Sequence, residues 1–436
     1  MESEVSVYGV NALAYGVIGD GCSDDASAIQ RLLDADHELI YFPPGHYLIG
    51  APLRVHSNTR VQAHRFARFT FADGAAQDAQ SFLLCNADME KGNENISIKG
   101  GIWDGNNVGN PRGEENDRNG FTGAMINFKW VRGLSLTDMT LKDSTAYHTR
   151  LSGVKDFRVE RLRFQDTVHT ANQDGVHVAG CCEDGLIRDI AAVGEECTGD
   201  DLVALNADDA LDRSETRGKL GGPIRRIRVD GLRADDCHSF VRMASVWAEL
   251  ENIEINDVQG GCRVNVVNAD ALRGCAAPLF YPDDERYAQG AGLLRSVRLR
   301  NVRAFKSGIN RTPLLRLDER MQDFSVEDFV RVYEQDAAPQ VPTLQVAYQR
   351  TDDIVLEGIA EGELEACENA SECGRFSSMR LPGSVPESPV FRVEAGIEPT
   401  GCFICCCRHF ELFRVGSCRL EPLPEPDRMV AKGQYK

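Results

Sequence analysis

Residues 94–106 read ENISIKGGIWDGN, and this stretch decides the fold that the sequence predicts. Ile96 and Ile98 alternate with polar residues, and the glycine pair at 100–101 permits a bend before the next apolar segment. Period-two alternation is typical of a strand with one buried face, whereas a helix would repeat every three to four residues. The stretch therefore predicts two short strands joined by a bend.

The same unit recurs along the chain at intervals of about 23 to 45 residues, with insertions in the longer intervals. Copies occupy residues 132–144 (RGLSLTDMTLKDS), 155–167 (KDFRVERLRFQDT), 184–196, 225–237, 251–262 and 295–307, and a weaker copy occupies 352–362. Irregular, strand-rich repeats indicate a solenoid, because each unit buries its apolar face only against its neighbours. We therefore predict an all-β, single-stranded, right-handed parallel β-helix. Leucine-rich repeats would show a regular consensus that is absent here, and a β-sandwich is the remaining alternative.

The N-terminal region has a different pattern. The sequence SDDASAIQRLLDAD, which begins at Ser23, predicts a helix over about residues 22–36, with Ser23 or Asp24 as its cap. A helix ahead of a solenoid covers the end of the core that would otherwise face water. The sequence LIYFPPGHYLIG at 39–50 then predicts two strands around a Pro-Pro-Gly turn.

The repeats predict one β-helix domain over residues 1–360, followed by a C-terminal end or capping segment over 361–436. That segment is cysteine-rich and includes GCFICCCRHFELF at 401–413. A single Cys-x-x-Cys pair is weak support for zinc, and the acidic loops lack an ordered spacing of calcium ligands. We therefore expect no metal and no cofactor.

Charge and cysteine content restrict the partners and the compartment. The 436-residue chain has a net charge of −19, which disfavours binding to nucleic acid or to an anionic membrane. Its 15 cysteines are odd in number and partly adjacent, as at 405–407, so reduced thiols are expected rather than a disulfide framework. With no visible signal peptide, we expect a cytoplasmic protein, or a secreted one if a leader has been removed. A homo-oligomer remains possible.

Several segments carry a resemblance to known families. Residues 15–35 (YGVIGDGCSDDASAIQRLLDA), followed by IYFPPGHYLI, resemble the N-terminal signature of pectate-lyase-like β-helix proteins. ENISIKGGIWDGN, NQDGVHV at 172–178 and GDDLVAL at 199–205 resemble motifs of glycoside hydrolase family 28, the polygalacturonase family, in the family's order. The resemblance implies a parallel β-helix that hydrolyses an oligosaccharide or polysaccharide.

Asp174 and the pair Asp200–Asp201 are the candidate catalytic residues. They lie about one coil apart, so they can project from the same face of neighbouring coils. Glycoside hydrolysis needs one carboxylic acid to protonate the leaving oxygen and one carboxylate to activate water. The resemblance implies that Asp200 is the general acid and that Asp174 and Asp201 position and deprotonate water in an inverting reaction.

Four more residues are candidates for binding the substrate. Asn172 and His177 flank Asp174, and the resemblance implies that Asn172 orients its neighbours. His238 and Arg263 are the counterparts of the family's later histidine and arginine, while Asn265 stands where the family has a lysine. That lysine helps the family to bind a uronic acid, so the sugar is left open between uronic and neutral types.

Two other functions stay possible. A polysaccharide lyase on the same fold needs a base beside the uronate carboxylate, and no basic residue adjoins the aspartates in the sequence. A non-catalytic carbohydrate-binding β-helix would explain the fold, but it has no need of NQD and GDD motifs one coil apart. An isolated Asp-Asp pair is itself most often a solvated turn.

Overall fold

Short strands with one buried face make up most of the described chain, and they pair in parallel. The computed structural model describes residues 9–112, 120–208, 216–245, 248–269, 293–317 and 321–338, and short stretches at 341, 344–346, 403–405, 414–415 and 418–420. The fold is a right-handed parallel β-helix with an N-terminal capping helix, as the repeats predict. Within these ranges no helix is long and apolar enough to cross a bilayer.

The chain divides into two units. The first comprises Met1–Val203 and Asp212–Leu220, and the second comprises Ala204–Leu211 and Gly221–Lys436. The predicted domain boundary at residue 360 lies outside the described residues, as does nearly all of the cysteine-rich segment at 401–413. The predicted division of the chain at residue 360 therefore stays a prediction.

The core of the first unit consists of rows of apolar side chains that stack from coil to coil. Ile98 pairs with Leu136, Leu136 with Val159, and Val159 with Ile187, all in parallel register. Each of the four is fully buried. Burying such a side chain contributes about 1.5–3 kcal/mol, and a slip of one residue would turn the whole row to solvent. The alternation read from the sequence therefore fixes the register.

The bends between strands use left-handed backbone conformations. Asp138 and Asp189 have φ values of 59° and 55° at corresponding places in different coils. Asn and Asp adopt this conformation more readily than other non-glycine residues, so these bends agree with the predicted Gly, Asn or Asp. Arg161 also has a φ of 54°. At Arg161 the parallel pairing of the strands on either side imposes a left-handed backbone conformation, which arginine disfavours.

The strands of the first unit are numbered in chain order. The last of them begins in the first unit and crosses the boundary into the second. They are β1 (Val10–Asn11), β2 (Asp20–Asp24), β3 (Leu39–Phe42), β4 (Gly45–Ile49), β5 (Leu53–Val55), β6 (Arg60–Ala63), β7 (Ala67–Phe71), β8 (Leu84–Asn86), β9 (Asn93–Lys99), β10 (Ile102–Asp104), β11 (Ile126–Lys129), β12 (Val131–Thr137), β13 (Thr140–Lys142), β14 (Thr149–Ser152), β15 (Lys155–Glu160), β16 (Arg163–Phe164), β17 (Val176–Ala179), β18 (Glu183–Ala192) and β19 (Asp201–Asn206). A short 3-10 helix spans Ala12–Tyr15. The two strands predicted around the Pro-Pro-Gly turn are β3 and β4.

The capping helix α1 spans Ala26–Asp34 and is shorter than predicted, because the residues before it form β2. Asp25 is the N-cap residue, but its carboxylate accepts hydrogen bonds from the N–H groups of residues 18–19 (2.7 and 2.9 Å). Asp24 accepts one from the first helical N–H (2.9 Å), in agreement with its predicted capping role.

Helix α1 is fixed to β5 at the start of the solenoid. The Gln30 amide donates to the main-chain oxygen of Arg54 (3.1 Å) and accepts from its N–H (2.8 Å). The buried stripe of the helix consists of Ala28, Ile29, Leu32 and Leu33. This stripe lies against the protein rather than in water, so the helix covers apolar core.

The second unit repeats the same construction with longer strands. They are β20 (Ile224–Ala244), β21 (Leu250–Ala269), β22 (Leu294–Lys306), β23 (Leu315–Leu317), β24 (Met321–Arg331), β25 (Leu344–Val346), β26 (Phe403–Cys405), β27 (Arg414–Val415) and β28 (Cys418–Leu420), with a 3-10 helix at Tyr333–Gln335. Val229 pairs with Ile255, and Ile255 with Leu299, and all three are fully buried. Apolar rows in register therefore form this core too.

We expect Leu136→Ala to lower the free energy of unfolding by about 2–5 kcal/mol, because it removes buried methyl groups and leaves a cavity. The matched control is Ser135→Ala on the opposite face of β12, where Ser135 is partly exposed and a change within about 0.5 kcal/mol is expected. Urea unfolding of both variants tests this. Equal losses in the two variants would contradict the assigned register.

Candidate active site

Two turns carry the predicted catalytic aspartates, and in the first unit they lie against each other. The Gly175 N–H donates to the main-chain oxygen of Asp201 (2.9 Å). The Asp200 N–H donates to the main-chain oxygen of Gln173 (3.3 Å), and the Asn172 N–H donates to the Asp200 carboxylate (3.2 Å). The structure therefore brings Asn172, Asp174, Asp200 and Asp201 into two adjoining turns.

Two glycines allow the turns to approach this closely. A Cβ on Gly175 would lie 2.5 Å from the main-chain oxygen of Leu202, and one on Gly199 would lie 2.7 Å from that of Thr170. Both distances are shorter than non-bonded atoms tolerate, and glycine is the residue without this atom. The glycines of NQDG and GDD are thus required by backbone contact.

The Asp174 carboxylate is held by a histidine from the strand that follows its turn. Asp174 Oδ2 lies 2.6 Å from His177 Nδ1, and both side chains are at most 5% exposed. His177 Nε2 lies 3.3 Å from Lys219 Nζ, and the imidazole stacks on the Tyr147 ring with centroids 4.0 Å apart. A carboxylate and an ammonium as neighbours favour Nδ1–H as donor and Nε2 as acceptor. His177 thus orients Asp174.

Exposure to solvent separates the three aspartates. Asp200 is half-buried, as is Asn172, whereas Asp174 and Asp201 are each 4% exposed. A group that transfers a proton to a bound substrate must be within reach of it. Among the three residues Asp200 is the most exposed, although its Oδ1 atom is buried.

A polar row leads across the strands to this site. Asn127 on β11 pairs with Arg150 on β14, which pairs with His177 on β17. The Arg150 guanidinium donates to Asn127 Oδ1 (2.7 Å) and to the main-chain oxygen of Arg217 (3.1 Å). Burial lowers the pKa of Arg150 to about 10, so the side chain stays a cation at neutral pH. A buried positive charge therefore lies one strand away from His177.

A buried histidine–aspartate ion pair holds the main chain at Asp174. His148 Nε2 lies 2.8 Å from Asp166 Oδ1, and neither side chain is exposed to solvent. The main-chain oxygen of Asp174 accepts from both the N–H and Nδ1 of His148, each at 2.9 Å. Burial by itself would lower the pKa of His148, but the Asp166 carboxylate beside it raises that pKa. Both ring nitrogens therefore donate when His148 is protonated.

Asp166 also contacts the turn that precedes Asp200. Cys197 Sγ lies 3.4 Å from Asp166 Oδ2, and the Asp143 N–H donates to Asp166 Oδ1 (2.8 Å). Burial and then the Asp166 charge raise the pKa of the Cys197 thiol, which stays protonated and donates. One buried carboxylate thus connects the coils that carry Asp174 and Asp200.

His238 and Arg263 lie in the second unit. His238 on β20 is half-buried, and its Nδ1 lies 3.2 Å from Ser239 Oγ. Arg263 on β21 is half-buried, with Nε 3.9 Å from Asp236 Oδ1. Asn265, at the position of the family's lysine, is fully buried and donates to the main-chain oxygen of Pro313. Its side-chain amide therefore forms a hydrogen bond inside the protein.

The sequence did not single out Tyr147, Lys219 or Asp166. Lys219 comes from the 206–222 insertion, which is more than 40 residues beyond His177 in the chain, so no local pattern connects the two. No basic residue adjoins the aspartates in the sequence, but the fold brings Lys219 against His177, the partner of Asp174. Asp166 ends the repeat at 155–167, where an aspartate is also the ordinary residue of a bend.

Comparisons with known proteins agree with the fold. Residues 9–99 match the family model described as Rhamnogalacturonase A/epimerase, pectate lyase-like. A hyperthermoactive exopolygalacturonase from Thermotoga maritima has a similar structure, with a TM-score of 0.50 and 15% identity over 78% of this chain and 90% of that chain. At this identity the likeness shows the fold.

Two curated relatives differ in what their names describe. The preneck appendage protein of Bacillus phage PZA is 30% identical over 106 residues, which are 24% of this chain and 12% of the phage protein. The mannuronan C5-epimerase AlgE1 of Azotobacter vinelandii is 21% identical over 221 residues, which are 43% of this chain and 16% of the epimerase. This chain thus spans a small part of the length of either relative. Its similarities are to β-helix proteins that include carbohydrate-acting ones.

We expect Asp166→Asn to destabilise the protein by about 3–5 kcal/mol, because it leaves the buried His148 without its counter-ion. The matched control is Asp156→Asn, since Asp156 is about half exposed, pairs with Arg132 on the surface and has a left-handed backbone conformation that asparagine tolerates. Urea unfolding at neutral pH compares the two variants. A loss no larger than that of the control would contradict the role of Asp166.

The raised pKa of His148 also predicts a pH dependence. Its contribution to stability is fully present below the ordinary histidine pKa of about 6.5 and is lost as pH rises through the raised folded-state pKa. The difference in unfolding free energy between the wild type and His148→Gln should therefore shrink as pH rises. Urea titrations at a series of pH values test this, and a difference that grows with pH would contradict it.

Proposed function

We propose that this protein is a glycoside hydrolase that uses carboxylate acid–base catalysis. The observation that carries the proposal is the pair of adjoining turns, in which Asn172 N–H contacts the Asp200 carboxylate and Gly175 contacts the backbone of Asp201. A solvated Asp-Asp turn would not need a second acidic turn packed against it. Nor would it need the buried His148–Asp166 ion pair, which contacts the main chain of Asp174.

Each carboxyl group has a role that suits its surroundings. Asp200, the most exposed of the three residues, would donate its proton to the glycosidic oxygen, so that the bond from this oxygen to the anomeric carbon breaks and the leaving sugar departs as an alcohol. Asp174 and Asp201 would orient a water molecule and take its proton as its oxygen bonds to the anomeric carbon. Attack from the opposite face inverts the configuration. His177 would hold Asp174 in place.

The substrate in this proposal is an oligosaccharide or polysaccharide. Lys219 is half-buried and cationic, so it can pair with an acidic group of the sugar near Asp174. Asn172 would bind sugar hydroxyl groups with its amide. His238 and Arg263 stay predicted substrate-binding residues. The family description and the epimerase relative are consistent with a carbohydrate substrate.

A second candidate function is β-elimination on a uronic acid polymer, and Lys219 is the observation that favours it. In this reaction a base removes the C5 proton, a C4–C5 double bond forms, and the C4–oxygen bond breaks as the leaving oxygen gains a proton. The reaction needs cationic groups to stabilise charge that develops on the carboxylate. Lys219 lies beside His177 and 5.6 Å from the Tyr147 ring, which supplies such a group.

The test is product release from a panel of uronic and neutral oligosaccharides by the wild type, Asp200→Asn and Asp189→Asn. We expect Asp200→Asn to lower reducing-sugar release roughly a thousandfold, which is about 4 kcal/mol of barrier. The exposed Asp189 on β18 is the matched control, and its variant should keep full activity. Undiminished activity in Asp200→Asn would contradict the proposal.

The same assays separate the two reactions. Hydrolysis gives saturated products, whereas elimination gives an unsaturated uronide with strong ultraviolet absorbance. Unsaturated products that disappear in Lys219→Met would establish the lyase and overturn the hydrolase. A wild type that acts on no member of the panel would contradict both reactions and support a binding protein.

A further inference from the structure

A groove in the second unit is lined by three arginines and one acidic residue, although the protein as a whole is acidic. It has a volume of about 370 Å3 and lies across β20, β21 and β22. Its polar lining consists of Arg226, Arg228, Asn252, Glu254, Ser296 and Arg298. None of these residues belongs to the candidate active site.

The parallel register explains how the groove forms. Arg228 pairs with Glu254, and Glu254 pairs with Arg298, so their outward side chains form one row across three coils. Coils repeat about every 4.8 Å, which separates the backbones of the two arginines by about 10 Å. The cationic groups are thus spaced along a track rather than gathered at one point.

The charges of this row are available to a ligand. Arg298 is exposed and Glu254 is half-buried, and neither forms an ion pair with a described residue. Arg228 contacts Asp230 (2.9 Å), but its own side chain is 57% exposed. Arg226 is an exposed residue of the same lining. Solvated ion pairs of this kind are weak, so a bound anion can replace them.

The row also contains hydrogen-bond acceptors. Glu254 accepts hydrogen bonds, while Asn252 both donates and accepts, and both lie among the arginines. A ligand with acidic groups and hydroxyl groups would satisfy both kinds of side chain, whereas a simple anion would be repelled by Glu254. We propose that this groove binds an acidic polysaccharide, with arginines on its carboxylates and Glu254 and Asn252 on its hydroxyls.

Nucleic acid fits the same groove less well. The lining lacks an aromatic side chain on which bases could stack, and Glu254 would face the phosphates. The groove therefore serves as a site that holds a uronic acid polymer, and this role does not depend on which reaction the first unit catalyses.

The test measures binding rather than turnover. Affinity electrophoresis in gels that contain polygalacturonate, alginate or neutral dextran compares the wild type with Arg228→Gln/Arg298→Gln. We expect the double variant to bind one or both acidic polymers at least tenfold more weakly, with no retardation by dextran in either protein. The matched control is Arg132→Gln/Arg158→Gln on exposed positions of the first unit, which should bind as the wild type does.

Further variants distinguish the alternatives. Glu254→Ala should weaken binding of the uronic polymer, because a hydroxyl acceptor is lost. If the groove were only a site for anions, the same change would strengthen binding, and this result would overturn the proposal. Equal weakening in both double variants would overturn it as well, as would tighter binding of a DNA duplex than of either acidic polymer. Unchanged melting temperatures show that the variants are folded.

The binding assay is repeated in the Asp200→Asn background. Retardation by an acidic polymer that persists there, and that depends on Arg228 and Arg298, supports the groove even if no hydrolysis is found. Loss of hydrolysis with binding intact would therefore count against the proposed reaction and not against the groove.

Discussion

The stacking of apolar side chains in parallel register is the constraint on which the rest of the structure depends. The row from Ile98 to Ile187 contributes hydrophobic burial in each coil, and one residue of slip would expose all of it. The turns between these strands stack from coil to coil as well, because the strands on either side of them are in register. The close contact between the turns of Asp174 and Asp200 is a consequence of that order, and their glycines remove the last steric obstacle.

Buried polar groups fix the position of the turns that carry the aspartates, although burying these groups costs free energy. The His148–Asp166 pair is removed from water, and a buried ion pair contributes little net stability when compared with apolar residues of the same volume. The pair has another benefit, because Asp166 contacts Cys197 ahead of Asp200, and its partner His148 contacts the main-chain oxygen of Asp174. A charged network of this kind fixes the position of the turns, which matters for acid–base chemistry.

The comparisons agree on a parallel β-helix fold and leave the reaction to the side chains. Among proteins of similar fold, the relatives' names include an epimerase and an exopolygalacturonase, so the scaffold alone does not select a reaction. The accessible Asp200 favours hydrolysis, whereas Lys219 beside His177 favours chemistry on a uronic acid. The arginine groove in the second unit would suit an acidic polymer in either case.

The sequence by itself determined the β-helix and the capping helix. It also determined that the NQDG and GDD motifs lie against each other. These features follow from period-two alternation, helical periodicity and a spacing of one coil, all of which are local or repeat with the coil. Only the tertiary structure decided that Lys219 lies against His177 and that Asp166 supports both turns. It also decided that Asn265 is buried, and that Arg228, Glu254 and Arg298 form one row. These contacts join residues far apart in the chain, and packing and register select them rather than any local preference.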